Sequence, residues 1–350
     1  VRIAMISPLE MRVPPVGYGG TELVVSLLTE GLVRAGHEVT LFASGDSETA
    51  AALVPGAPRF LRGSSRHKGI LELLNVVRAL ERAGQFDIIH NHTALEGMAT
   101  AGLVSTPMLT TLHGGMDGDW RLLLAHYRGW FNAISHSALA LLPPKERCVG
   151  VIHNAIDVPS YPFNPGARED FVLFLSRMSP EKGPDLAIEV ARRSGVRVVL
   201  AGNVDACDRE FFETRVRPAV DGRQIEYRGE ADYRAKRELL SRARCLLAPI
   251  TWEEPFGLFM AEANACGTPV VAMRRGAAPE VIADGETGYL VDSVEEMCAA
   301  LGRVEAIEAR ACRAHVERHF SAERMVRDYL AAYRRVLAAS GTRTPSERAA

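Results

Sequence analysis

The sequence predicts an α/β protein with two doubly wound parallel sheets, and three observations carry the prediction. Short aliphatic and β-branched runs alternate with amphipathic, helix-length segments, which is the rhythm of repeated β-α-β units. The rhythm breaks at "PSYPFNPGAR", Pro159 to Arg168, where three prolines and a glycine fall within ten residues, and then restarts. A chain of 350 residues also exceeds what one ordinary hydrophobic core organises, so two cores are expected.

In the first half the strand patterns are Arg2–Ile6, Val39–Phe42, Asp87–His90, Met108–Leu112, Ala133–Ser135 and Val149–Ile152. Their near-continuous apolar character suits parallel strands buried on both faces. After the first strand comes a long loop, Ser7 to Tyr18, and Gly19-Gly20-Thr21-Glu22 then opens a helix at Leu23. In the second half the strands are Phe171–Leu175, Val196–Ala201, Ile225–Tyr227, Cys245–Ala248, Val270–Ala272 and Tyr289–Val291. Val294 to Ala338 lacks strand patterns and reads as two or three helices, broken at His319-Phe320-Ser321 with Ser321 as an N-cap, and the tail from Ser340 reads as frayed. No repeat of solenoid length is visible.

Composition narrows the function classes. Apolar residues make up 47% and charged residues 24%, the balance of a soluble globular protein, and a net charge of -2 gives no strong field toward nucleic acid or an anionic membrane. No apolar run approaches the roughly 20 residues that span a bilayer. The start of the chain reads as a strand rather than a signal peptide, so a cytoplasmic protein is expected. The six cysteines, Cys148, Cys207, Cys245, Cys266, Cys298 and Cys312, are scattered without metal or dithiol spacing and are expected as reduced, mostly buried thiols.

Three segments carry candidate chemistry. Gly19 and Gly20 precede a helix, where a backbone without side chains and a helix N-terminus suit a phosphate; a tight strand-to-helix turn is the plainer reading. The absence of a three-glycine dinucleotide fingerprint argues against an NAD-dependent dehydrogenase. Ser176 to Gly183, "SRMSPEKG", follows the first strand of the second half, where a doubly wound sheet presents its ligand crevice. There Arg177 and Lys182 can converge on a diphosphate, or be two solvated charges at a turn. In "EPFGLFMAE", Glu254 and Glu262 flank a helix start near Gly257. Glu262, about a turn further in, can accept both hydroxyls of a ribose, and Glu254 can hold sugar hydroxyls or stabilise positive charge at an anomeric carbon. An ordinary helix with an acidic start is the alternative.

With these residues in hand, the chain closely resembles glycosyltransferase family 4, the large retaining family with the two-domain GT-B fold. The resemblance runs through Gly19-Gly20, "FDIIHNH" around Asp87, "TLHG" around His113, "AISHS" around Ser135, "VIHNAID" around Asn154, Arg177 with Lys182, the paired glutamates, and "GAAPEVIADGETGYLV" from Gly276 to Val291. It implies two Rossmann-like domains facing each other across a cleft. Residues 1–165 would form an acceptor-side domain, onto which a C-terminal helix at about 321–340 packs back, and residues 166–320 a nucleotide-sugar-binding domain. Gly19 and Gly20 would meet the donor phosphates through their backbone, and Arg177 and Lys182 would neutralise the leaving diphosphate. Glu262 would hold the ribose, and Glu254 with the amides of Phe256, Gly257 and Leu258 would hold the sugar. His113 would contact the sugar near the reacting carbon, or be a buried histidine satisfied by backbone, and Asn154 would also line the donor site. Two departures stand out: Ala155 replaces the usual Gly after the Asn, and Arg275-Gly276 stands where Gly-Gly is common.

The implied reaction is retaining, metal-independent transfer from a nucleotide-sugar, with UDP as the family-weighted base, to a hydroxyl of a small-molecule, oligosaccharide or natural-product acceptor. No cofactor, nucleic acid or integral membrane contact is expected. The opening "SPLEMRVPPVGYGGTELVV" and "TLFASGDS" look like a subgroup that includes an avilamycin-biosynthesis glycosyltransferase, which suggests antibiotic biosynthesis. A GT-B nucleotide-sugar epimerase and a non-catalytic nucleotide-sugar sensor remain as alternatives. Asp117-Gly118-Asp119 imitates a metal-binding Asp-any-Asp but reads as a turn, and His90-Asn91-His92 lacks a third ligand at zinc spacing and reads as strand-end structure. Arg59, Arg62, Arg66, His67 and Lys68 precede an amphipathic stretch, Ile70 to Ala83, that suits an anionic acceptor, a membrane surface or plain solvent.

Overall fold

The computed structural model describes residues 1–17, 19–64, 67–93, 95–114, 119–142 and 146–341. Tyr18, Arg66, the Asp117-Gly118 pair and the tail beyond Gly341 lie outside the described residues. The chain forms two compact units: Val1–Ala155 joined by the stretch from Ala322, and Ile156–Ser321. The Pro-rich segment lies inside the second unit rather than between the two. Asn164 anchors it there, its amide donating to the Cys266 carbonyl at 3.1 Å and its side chain to the Ser241 carbonyl at 2.8 Å.

The first unit is built on a seven-stranded parallel sheet. Its strands are β1 (Arg2–Ile6), β2 (Glu38–Ser44), β3 (Ala52–Ala57), β4 (Ile88–Asn91), β5 (Met108–Leu112), β6 (Trp130–Ala133) and β7 (Cys148–Val151), in the order β3-β2-β1-β4-β5-β6-β7. β3 carries no strand pattern in its sequence because Pro55 and Gly56 interrupt it, and a proline is tolerated there because the strand is an edge. Buried Asn75 ties the carboxyl ends of β1 and β2 together, donating to the carbonyls of Ser7 at 3.1 Å and Phe42 at 3.3 Å. The first helix runs Gly20–Arg34, three residues earlier than the Leu23 start read from sequence. The helix Ala322–Ala339 packs against it at Gly31, where a Cβ would lie 2.4 Å from Val326 Cγ2. That approach buries Tyr329 and Tyr333 completely.

The second unit carries β8 (Glu169–Leu175), β9 (Val198–Ala201), β10 (Ile225–Tyr227), β11 (Ala243–Ala248), β12 (Val270–Met273) and β13 (Gly288–Val291) in the order β10-β9-β8-β11-β12-β13, all pairs parallel. The strand order reverses beside β8, so the loops after β8 and β11 sit at the topological switch point, where open α/β sheets bind ligands. All six cysteines are free; Cys245, Cys266 and Cys312 are buried, Cys148 and Cys298 half-buried and Cys207 exposed. Among the described residues no helix is long and apolar enough to cross a membrane.

Candidate active site

In the second unit, the loops at the switch point hold two buried glutamates, each against a lysine. Glu254 follows β11, and its carbonyl accepts the Ala277 amide at 2.8 Å. Gly276 makes this possible: at φ 54° its backbone lies so close that a Cβ would sit 2.2 Å from the Glu254 nitrogen. Where Arg275-Gly276 replaces the expected Gly-Gly, the glycine the geometry needs is therefore retained. Glu254 Oε2 accepts from Lys182 Nζ and, at 3.0 Å, from Trp252 Nε1. Lys182 also lies over the Trp252 ring, 4.8 Å from its centroid.

Gly257, in the left-handed region at φ 81°, starts the helix Leu258–Ala265. The amides at that helix start lack intrahelical acceptors, and the Phe256 side chain packs edge-on against Phe320 at 5.5 Å. One turn on, Glu262 is 3% exposed, and its Oε1 accepts from Tyr161 Oη at 2.7 Å and from Lys236 Nζ at 2.6 Å. Among the described residues, neither Glu254 Oε1 nor Glu262 Oε2 meets a hydrogen-bond donor. Each carboxylate thus commits one oxygen twice to the protein and keeps the other without a donor among the described residues. Burial, with the Glu262 charge second, lifts the Tyr161 hydroxyl well above its usual range and Cys266 to about 12, so both stay protonated.

Arg177, after β8, faces Glu181, Asp205 at 3.5 Å and Asp208 at 3.4 Å. Burial raises the Glu181 carboxyl, but hydrogen bonds from its own amide and from Arg177 outweigh this and hold it below its usual value.

In the first unit, Gly19 caps the helix Gly20–Arg34 at φ 143°, and a Cβ there would lie 2.7 Å from Pro15 Cβ. Gly20 opens the helix, so its first amides are without intrahelical acceptors. Asn154 is buried, its carbonyl accepting from Arg324 at 3.0 Å, and Ala155 is fully buried in place of the expected glycine. His113 follows β5 and is satisfied by another side chain rather than by backbone: its Nε2 lies 2.8 Å from His92 Nδ1, the rings stacked at 5.1 Å. His92 in turn packs on His90 with the rings tilted by 42° and their centroids 4.1 Å apart. Burial lowers His113 to about 4, and burial followed by neighbouring imidazoles lowers His90 and His92 well below their usual value, so all three are neutral near pH 7. The "HNH" motif thus closes on His113.

Tyr161, Trp252 and Lys236 were missed in the sequence. Trp252, two residues before Glu254, was within reach of a local reading, but Tyr161 and Lys236 come from elements whose approach to Glu262 no spacing announces.

Comparison with known proteins agrees with this architecture. Residues 18–160 match the model described as Glycosyltransferase Family 4, and residues 161–315 match Glycosyl transferases group 1. A D-inositol 3-phosphate glycosyltransferase of Mycolicibacterium paratuberculosis is 31% identical, over 91% of this chain and 86% of its own length. A glycosyltransferase involved in avilamycin A biosynthesis superposes with a TM-score of 0.77 at 26% identity, covering 97% of this chain and 98% of that one. An Anabaena protein solved with UDP-glucose superposes at 0.71 and 18% identity, covering 95% and 99%. The fold and the site define a glycosyltransferase of the GT-B class. The chain belongs to glycosyltransferase family 4.

Proposed function

We propose that this enzyme transfers a sugar from a UDP-sugar to a hydroxyl of a small-molecule or oligosaccharide acceptor, with retention of anomeric configuration and without a metal ion or other cofactor. The observation that carries the reading is the pair of buried glutamates, each pinned through one oxygen by a lysine and an aromatic donor and open at the other. Glu262 Oε2 suits the ribose hydroxyls, and Glu254 Oε1 with the amides from Phe256 to Leu258 suits the hydroxyls of the transferred sugar. UDP is the chosen base because the Anabaena neighbour holds UDP-glucose. A hydroxyl acceptor is in keeping with the relative that glycosylates D-inositol 3-phosphate.

Leaving-group stabilisation falls to Lys182 and Arg177, both balanced by carboxylates in this structure. A diphosphate would take Lys182 from Glu254, freeing that carboxylate for the sugar at the moment of binding. Gly19, Gly20 and Asn154 complete the donor contacts, and His113 meets the transferred sugar. The departing phosphate takes the acceptor proton in a same-face attack.

The test is turnover of UDP-glucose with a panel of polyol and oligosaccharide acceptors in the presence of a chelator, reading the anomeric coupling of the product by NMR. An α-linked product at undiminished rate supports the reading. A β-linked product overturns retention, and loss of activity on chelation overturns metal independence.

A further inference from the structure

His92 is a buried side chain to which neither composition nor spacing gave a role, and its surroundings fix more than its position. Beneath it, His90 belongs to a network whose protons can be placed by elimination. The Thr111 hydroxyl has one proton, which goes to Asn132 Oδ1 at 2.9 Å. It must therefore accept from His90 Nε2 at 2.8 Å and from Tyr329 Oη at 2.9 Å. His90 Nδ1 is then the acceptor for Tyr333 Oη at 2.6 Å, and Tyr329 Oη accepts the Asn132 amide at 3.3 Å. Every donor finds an acceptor, and His90 is fixed as the neutral Nε2–H tautomer, against which the His92 ring packs at a tilt.

The His92–His113 hydrogen bond holds one proton, and it has two possible owners. Were His113 Nε2 the donor, neutral His92 would carry its own proton on Nε2, which is buried and meets no hydrogen-bond partner. An orphaned buried N–H is the rarer and costlier fault; an orphaned lone pair is more readily tolerated. The proton therefore belongs to His92 Nδ1, and His113 must carry its own on Nδ1.

We propose that His92 is a positioning residue that holds His113 in the neutral Nδ1–H tautomer, so that His113 presents a hydrogen-bond donor, and not a lone pair or a cation, to an oxygen of the transferred sugar. The proposal rests on the reading that His113 meets that sugar, and it assigns the chemistry of the contact: a neutral donor polarises an oxygen without competing for the diphosphate.

The test labels the histidines of the full chain with ¹⁵N and records long-range ¹H–¹⁵N correlations at pH 7, with His113→Asn to assign the signal. The expected result is a protonated Nδ1 and an unprotonated Nε2 on His113. His92→Phe, which keeps the stack but removes the donor, is expected to lose that pattern and roughly tenfold in kcat. His92→Gln, whose amide still donates, is expected to retain both. A protonated Nε2 on wild-type His113, an imidazolium, or an unchanged pattern in His92→Phe overturns the proposal. If His92→Phe fails to fold, the wild-type and His92→Gln spectra decide. Failure of the underlying reading shows separately, as UDP-glucose turnover indifferent to His113→Ala.

Discussion

Around their candidate site residues the two units treat ionisable groups differently. In the second unit, the carboxylates are met by full charges: Lys182 on buried Glu254, Lys236 on buried Glu262, and Arg177 facing the half-buried Glu181, Asp205 and Asp208. In the first unit, buried Asp87 is likewise paired with Arg2, at 2.8 Å, but the histidine cluster and Glu22 are met by neutral partners. His90, His92 and His113 are pushed toward the uncharged form by burial, and burial lifts Glu22 to about 7 with only the Met11 amide, at 3.2 Å, and its own backbone against it. On the proposed reading, the unit that receives the diphosphate keeps its charges balanced in advance, while the neutral histidines avoid the larger desolvation cost of a buried charge.

The contrast can be broken most directly at Lys236. Lys236→Ala leaves Glu262 buried without its cation, and the expected loss of unfolding free energy is about 3 kcal/mol, the low end for breaking a buried pair, read by urea denaturation. An unchanged midpoint would mean that the pair is solvated. Next, Lys182→Ala and Arg177→Ala are expected to lower kcat by about a hundred- to a thousandfold, or roughly 2.7–4 kcal/mol of barrier, in steady-state donor turnover.

A smaller effect, on the order of 2 kcal/mol, is expected in the pH dependence of the first unit. The folded value of Glu22 is about 7 against an ordinary 4.5, so the folded state holds its proton longer; its contribution is complete below 4.5 and is lost as pH rises through 7. Glu22→Gln should therefore gain in thermal midpoint over wild type from pH 5 to pH 8. The histidines act in the other direction. Their lowered values make their contribution complete above about 6.5 and lost as pH falls. Smallest of all, Tyr161→Phe removes one neutral donor from Glu262 and is expected to weaken nucleotide binding by about 0.5–1.5 kcal/mol, measured by titration.

What could be read from the sequence follows the reach of the forces involved. β1, β5 and β10 lie where their apolar runs placed them, because a buried parallel strand writes its burial into consecutive residues. β6 runs Trp130–Ala133, so the expected Ala133–Ser135 overlaps it only at Ala133. The glutamates, the basic pair and His113 were legible as motifs. Their partners were not: Tyr333 reaches His90 across 243 positions and Tyr161 reaches Glu262 across 101, distances at which only the completed packing decides who meets whom.

The measurement that bears most directly on the central claim is calorimetric titration of UDP, GDP and ADP into wild type and Glu262→Ala with a chelator present. The account predicts that UDP binds wild type in preference to the other two and that Glu262→Ala loses this binding while remaining folded. Equal binding of UDP to both proteins, or no nucleotide binding to wild type, would contradict it.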